Sequence, residues 1–569
     1  LVEHKNFREL LAALNPRANP PSRRAVLEAL AAIKADCEGK VELMLAGQHV
    51  SLATDCWSSK HAMDTYNGVS ASWITEEWKL METSLGVSKY SGSTIGENIA
   101  DYVKELVDKH GLEGRVQACV TDCEPSMVKA GRIIEAVGVA EHIGCAIRRL
   151  ESTTGIAFGG PGSRETMVRA RALAKRYTTP SQARDKLEEC CRIDSMKSLR
   201  VLQDVKTRWW STFTMVQRLL YLKRAIQLRE QVATVEEILT DVDWLALELL
   251  LPVLEPFMET QKLFEGAAYV TGSLVIPYIF DLRTELKDAV FELNSTTVDG
   301  SAMQQAQAAA SKLAQQMLKD FNGWWGDGKD VALYRTGRRQ QPGSFKKTQV
   351  LATALDPRTK FLHGIPPEEH EAVWELVIME VVDLVVEEKT AAAAGEANER
   401  DSSRQATQQA APGSAYMGRS KAVAAAVASG AAAAAAAAVH AGGAAGGLLG
   451  ERVEHTVWLE VEAFRKEVEA FRKEPILPMD YTDTNSNKVF NNPLLWWKRK
   501  SSEYVHMAKQ ARRALPAPGT QASSERTFSA ARLTVTPKQS RLDPDNVELL
   551  VYLRTVWLTV EAWQREHGH

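Results

Sequence analysis

Two short stretches limit what this chain can fold into more than any other feature. Residues 50–55 read V-S-L-A-T-D and residues 116–122 read V-Q-A-C-V-T-D. Each is an apolar run with β-branched members, the composition of a buried strand, and each stops on an aspartate. A carboxylate at the open end of a buried strand is rigidly held and still reachable. Two of them on adjacent strands, Asp55 and Asp122, make a hard-oxygen site for a divalent cation. Taken singly, either aspartate could instead cap the turn after its strand.

The order of elements decides whether the two meet. Residues 66–73 alternate and predict a second strand. Residues 78–87 predict a third, reached through Thr75-Glu76-Glu77. Residues 95–110 carry Ile99, Val103, Leu106 and Val107 on one helical face. Residues 116–121 follow as the fourth strand, then a helix over 125–137 with Pro125 in its first turn. Residues 140–147 read as a fifth strand, with more helix beyond. A helix between the third and fourth strands is a crossover, which is right-handed. A ribonuclease-H-like (RNase-H-like) fold has this order and sets its first and fourth strands side by side, which predicts Asp55 beside Asp122. Two neighbouring carboxylates repel, so holding both ionised needs a cation, and oxygen-only ligands select Mg²⁺ or Mn²⁺. A two-metal site for phosphodiester cleavage needs a third acid, and Glu124, Glu151 and Glu525 are all open to that role on local pattern.

At 569 residues the chain exceeds one ordinary core, which predicts several domains or a core with a large insertion. Residues 1–45 read as helical, with Ser22 as an N-cap. Beyond residue 200 the periodicity is helical, over 209–228, over 245–264 with interruptions at Pro252 and Pro256, and over 274–293, 302–325 and 370–389. Residues 390–450 are rich in Ala, Gly, Ser and Gln without an apolar period and read as a flexible insert. Residues 461–467 (V-E-A-F-R-K-E) recur at once as 468–474. A helix is expected over 494–514, another from Ser523, and a last one over 547–557, where Val551, Leu553, Val556 and Trp557 would suit either a partner chain or the core. The division expected is a helical segment 1–45, the first part of an α/β core 46–200, an all-α insertion 201–480, and the rest of the core with a dimerisation region 481–569.

The composition, 45% hydrophobic and 25% charged with a net charge of -3, announces no nucleic-acid partner by bulk charge, so basic contacts must be local. Seven cysteines without paired C-x-x-C motifs point to a reduced protein rather than a disulfide or zinc framework. The opening residues read as an amphipathic helix and not a signal peptide, and no apolar run reaches the roughly 18 residues of a membrane span. Two basic stretches stand out. Arg164, Arg169, Arg171, Lys175 and Arg176 form one, and Lys498, Arg499, Lys500, Lys509, Arg512 and Arg513 the other. Each is a solvated helix face or a set of phosphate contacts.

Five blocks, T-D-C-W-S-S (54–59), T-D-C-E-P-S-M-V-K-A (121–130), T-R-W-W-S-T (207–212), A-T-A-L-D-P-R-T-K (352–360) and S-S-E-R-T-F-S-A-A (523–531), resemble the hAT superfamily of DNA transposases in order and across nearly the whole chain. The resemblance implies a mixed five-stranded RNase-H-like core split by a helical insertion. It implies a D, D, E triad of Asp55, Asp122 and Glu525 that is both catalytic and metal-holding, and Mg²⁺- or Mn²⁺-dependent cleavage and transfer of DNA strands in the nucleus. It also implies a homodimer or larger homo-oligomer through the C-terminal region. Trp209 matches a family tryptophan near the site, with core packing as its other role. The chain departs from the pattern as well. In Cys145-Ala146-Ile147-Arg148, Arg148 stands where the family has the histidine of a C-x-x-H pair, and His142 lies on the wrong side of Cys145. Cys123 and Ser126 replace asparagines, Arg532 a glycine and Gln539 an arginine. No BED zinc-finger pattern occurs before residue 50. An intact triad favours an enzyme, while these departures favour a non-catalytic DNA-binding, dimerising descendant. An RNase-H-like exonuclease would keep its third acid close to the second, and the long gap to Glu525 opposes that.

Overall fold

The structure is a computed structural model that describes residues 5–15, 17, 20–58, 65–89, 96–160, 163–178, 181–205, 209–233, 238–296, 300–326, 345–385, 450–482, 488–534 and 543–567. The insert expected over 390–450 lies outside the described residues.

Five strands form one mixed sheet in the order β3-β2-β1-β4-β5. They are β1 (Val50–Ser58), β2 (Thr65–Ile74), β3 (Leu80–Lys89), β4 (Val116–Thr121) and β5 (Glu141–Gly144). β1 pairs antiparallel with β2 and parallel with β4, and β4 pairs parallel with β5. The helix Gly96–Lys109 makes the crossover from β3 to β4. This is an RNase-H-like arrangement, as expected. β1 is longer than expected because β2 stays paired with it past Asp55, which sits opposite Gly68 inside the strand rather than at its end. β5 ends at Gly144, short of the expected 147, because Ala146 already opens the next helix.

Strand periodicity sorts the side chains into two cores. Leu52 and Cys119 pack on one face with Ile99, Val103 and Val107 of the crossover helix and with Met127 and Ile134 of Pro125–Ala136. Ala53, Ala118 and Val120 face the opposite way, into the helical body of the protein. Small residues there let helices approach closely. Burial on both faces explains why these strands read as continuous apolar runs.

That helical body runs from Ala146–Gly159 to Gly450–Lys473 and continues into Pro493–Lys500 and Val505–Ala514. The predicted break at Pro252 and Pro256 does not occur. Asp241–Phe264 is one helix with both prolines inside it. A Thr240/Asp243 capping box starts it, and Leu247, Leu250, Leu254 and Phe257 are buried along it, so packing offsets the two backbone bonds the prolines remove.

The seven-residue duplication is used twice over. Seven residues are nearly two turns, so equivalent positions share a face. Phe464 and Phe471 are both buried. Arg465 donates to Glu375 and Arg472 to Glu371. Glu467 accepts from the backbone N–H of His506, and Glu474 from Tyr504 and Lys500.

The last helix, Pro544–His567, packs on β3 and on the N-terminal helix Arg23–Leu45. Val551, Leu553 and Val556 are buried there, so these three serve the core rather than a partner, and only Trp557 of the four is exposed, at 48%. Among the described residues no helix is long and apolar enough to cross a membrane.

Candidate active site

The parallel register sets Ala53 beside Val120. Two residues further along the chain in each case stand Asp55, still in β1, and Asp122, just past the end of β4. Strand alternation turns both toward the helical body, where they line a cleft of about 1040 Å³. Asp55 is 7% and Asp122 9% exposed. The backbone N–H of Cys56 donates to Asp55 Oδ1 at 2.8 Å and that of Glu124 to Asp122 Oδ1 at 2.9 Å. These bonds orient the carboxylates but do not offset their burial. Desolvation first and the Asp122 charge second push the Asp55 carboxyl up to about 7. Burial likewise raises Asp122 above its usual range.

Glu525 comes from far along the chain, on the helix Ala522–Thr534, and lines the same cleft. Ser524 donates to the Ala53 carbonyl at 3.0 Å, and Ser70 bonds Ser523 at 2.8 Å, so hydroxyls rivet the helix start to β1 and β2. Phe528, one turn on, lies over Gly68. A Cβ there would come within 3.1 Å of the Phe528 ring, so the glycine opposite Asp55 is what admits the helix.

Arg148 dominates the far wall. It sits in the first turn of Ala146–Gly159, and its guanidinium donates to Glu151 at 2.7 Å and to Glu525 at 3.1 Å. All three acids that were open for the third role, Glu124, Glu151 and Glu525, line the cleft, and two of them are tied to this arginine. His142 does not line it. That ring is buried against Gly131 and within 2.9 Å of the Thr121 hydroxyl, and desolvation, then Lys346, lowers its basicity to about 4. Cys145 is buried as the N-cap of the Arg148 helix, its thiol pushed up to about 12 by desolvation.

Trp209 is buried behind the cleft and donates its indole N–H to Gln261, which does line it. The neighbour Trp210 lines the cleft itself, as do Trp57, Trp324, Glu265 and Arg526. Sequence reading missed Trp210 although it adjoins Trp209 in the W-W pair. Nothing local marked Trp324 or Glu265, which arrive on the ends of long helices.

The basic stretches are largely engaged. Arg169 pairs with Asp243 at 2.6 Å, Arg171 with Asp204 at 2.8 Å and Arg176 with Glu230 at 3.3 Å, each acid nearly closed to solvent. Arg164 and Lys175 are exposed on the same helix. Lys500 bridges Glu474 and Glu503, Arg499 donates to the Leu495 carbonyl, and Lys498 is exposed. Lys509, Arg512 and Arg513 gather with His49 at the start of β1, roughly 17 Å of strand away from Asp55.

A hard-cation fit rests on donor chemistry. Asp55 and Asp122 are neighbouring, buried and oxygen-only, the donor set a hard divalent cation takes, and burial first holds both carboxyls above their normal range. Among the described residues no three His, Cys, Asp or Glu side chains converge as a ready cage, and Glu525 Oε1 is engaged by Arg148.

Comparison with known proteins bears on the class this arrangement belongs to. Residues 53–141 match the ZBED1 RNase-like domain, residues 161–252 the ZBED1 RNase-like helical domain, and residues 467–556 the hAT family C-terminal dimerisation region. The chain is 25% identical over 294 residues to an AC transposase of Zea mays, 48% of this chain and 36% of that protein. It is 22% identical over 335 residues to zinc finger BED domain-containing protein 4 of Homo sapiens, 55% of this chain and 27% of that protein. It is 22% identical over 290 residues to a transcriptional regulator, tpeD, of Talaromyces stipitatus, 44% of this chain and 34% of that protein. The chain thus spans about a third of the length of the curated relatives it matches. Fold, segment order and relatives together make the chain similar to the hAT-family transposases, with an RNase-H-like core and a match to the hAT dimerisation region.

Proposed function

We propose that this protein is a DNA strand-cleaving and strand-transferring enzyme of the transposase type, acting as a homo-oligomer on DNA in the nucleus. The observation that carries the reading is that Asp55 in β1 and Asp122 just past the end of the adjacent parallel β4 line one large open cleft. Asp55 and Asp122 would hold a Mg²⁺ or Mn²⁺ ion, and Glu525 would complete the set. When bound, such an ion supplies Lewis-acid activation of the attacking and leaving oxygens of a phosphodiester. The chain's own residues do the rest. The Cys56 and Glu124 amides aim the two carboxylates. Arg148 and Arg526, both lining the cleft, oppose its negative charge and suit a phosphate backbone. Trp57 and Trp210 offer aromatic faces to bases. Self-association would use the region 467–556.

The test is metal-dependent cleavage of DNA carrying the protein's own element ends. Wild type is expected to cut and Asp55→Asn to lose activity by at least about a hundredfold. A folded wild type that binds these ends and leaves them intact in Mg²⁺ and Mn²⁺ would sink the enzyme reading.

One observation favours a second reading, a non-catalytic DNA-binding dimer of the same descent. Arg148 already occupies Glu525 and Glu151, which gives the acidic cluster an internal counter-charge. Calorimetry with Mn²⁺ separates the two. On the enzyme reading wild type binds and Glu525→Gln binds about tenfold more weakly. On the second reading only Arg148→His binds, because the clamp has been removed.

A further inference from the structure

A second large cavity lies away from the carboxylates. It is a groove of about 510 Å³ between the helices Asp241–Phe264 and Val275–Ser295, closed at one end by Met303 and Gln307 of Ser301–Trp325. Its floor is apolar, with Leu249, Val253, Phe257, Leu286, Ala289 and Leu293. Its rim is acidic. Glu285, Asp288 and Glu292 stand at i, i+3 and i+7 on one ridge, and Glu248 faces them from the other helix. Among the described residues no lysine or arginine lines it, although Lys223 reaches Glu248 at 2.8 Å. Pro252 and Pro256 also line it, and a proline has no N–H to give. The carbonyls of Glu248 and Pro252 therefore lose their intrahelical donors beside the groove. The walls offer acceptors almost exclusively. Burial, then Asp281, Glu259 and Asp288, hold the Glu285 carboxyl above its usual range, consistent with a ridge short of positive charge.

We propose that this groove docks a basic amphipathic helix of a partner protein. The shape sets the length of the occupant. The lined stretch from Glu248 to Phe257 is about 14 Å of helix, room for two to three turns of an occupant. The chemistry sets its faces. Apolar side chains at i, i+3, i+4 and i+7 fill the floor, and arginine or lysine along the flank meets the carboxylate ridge and the freed carbonyls. A small organic cation would neutralise one or two of four carboxylates strung along the rim, whereas a helix spaced like the ridge meets them together. The same helix carries Gln261, on the wall of the carboxylate cleft, about one turn beyond Phe257, so the groove and the cleft share this helix.

The probe is a fluorescein-labelled synthetic peptide of about 14 residues. It carries leucine on one helical face and arginine beside it, and is titrated with the full chain and read by anisotropy. Saturable binding is expected. Glu285→Lys, Asp288→Lys and Glu292→Lys combined, all at exposed positions, should weaken it at least about tenfold. Ala289→Trp fills the floor without changing charge and should do the same. A peptide of equal composition with its leucines scattered should bind no better than the variants. Equal binding by wild type and both variants, or by the scattered peptide, overturns the proposal. So does sedimentation showing a wild-type dimer that Ala289→Trp dissociates while the probe never binds, because the occupant is then a second copy.

Discussion

At the scale of single residues, the cleft is a contest between burial and charge. Asp55 is pushed up to about 7, chiefly by desolvation. In the unfolded chain an aspartate titrates near ~3.9. The folded state thus binds this proton more tightly. The resulting stability is full below the unfolded value and is lost as pH rises through about 7. In Asp55→Asn that loss is absent. The variant should therefore gain on wild type as pH rises from 4, by on the order of a few kcal/mol above pH 7. Thermal midpoints at pH 5 and pH 8 with a chelator present check this, and an equal gain at both would contradict it. The two aspartates were legible in sequence because a strand ending on a carboxylate leaves a local trace. Glu525 was not, since its identity as the third acid came only through resemblance. Arg148 was legible as a departure, but its grip on Glu525 depends on two helices separated by more than 350 residues.

At the scale of elements, periodicity carried the strands and the crossover helix, because those faces bury apolar groups on one core. It failed where tertiary contacts overrule local preference. The prolines of Asp241–Phe264 are tolerated because the helix is packed along its length. Tyr504 divides the expected helix 494–514 by turning its ring onto Trp496 at 5.9 Å and its hydroxyl to Glu474. The tandem heptad carries no signal of its docking, yet it presents each copy to the same neighbours. Phe471 is the more embedded of the two phenylalanines, stacked on Trp497 at 5.6 Å and edge-on to Trp496 and Tyr504. Phe471→Ala should cost about 3–5 kcal/mol in urea unfolding. Phe464→Ala, whose ring meets that of His506 edge-on, should cost less. Equal losses would mean that the second copy adds no aromatic packing of its own.

At the scale of the whole molecule, the A-T-A-L-D-P-R-T-K block turns out to be a junction rather than part of the cleft. The side chains of Asp356 and Arg358 are both fully buried and paired at 2.6 Å. Ser273 donates to Asp356, and Arg358 reaches the carbonyls of Val270 and Asn491. Lys360 donates to the Phe471 and Glu474 carbonyls that end the duplicated helix. Three distant parts of the chain therefore share one buried charge network. Arg358→Met strands the Asp356 charge and should lower stability by about 3–5 kcal/mol, seen as a fall in denaturant midpoint. A change within error would show that solvent reaches the pair. What the sequence by itself determined is the succession of strands and helices, the two aspartates at the ends of apolar runs, and the helical character of the insertion, since each follows from alternation and spacing within short windows. What only the tertiary structure decided is the third wall of the cleft, the engagement of the basic residues, and the burial of Val551, Leu553 and Val556. Those depend on which surfaces meet after the chain has closed loops of hundreds of residues, and no local pattern encodes that partner choice.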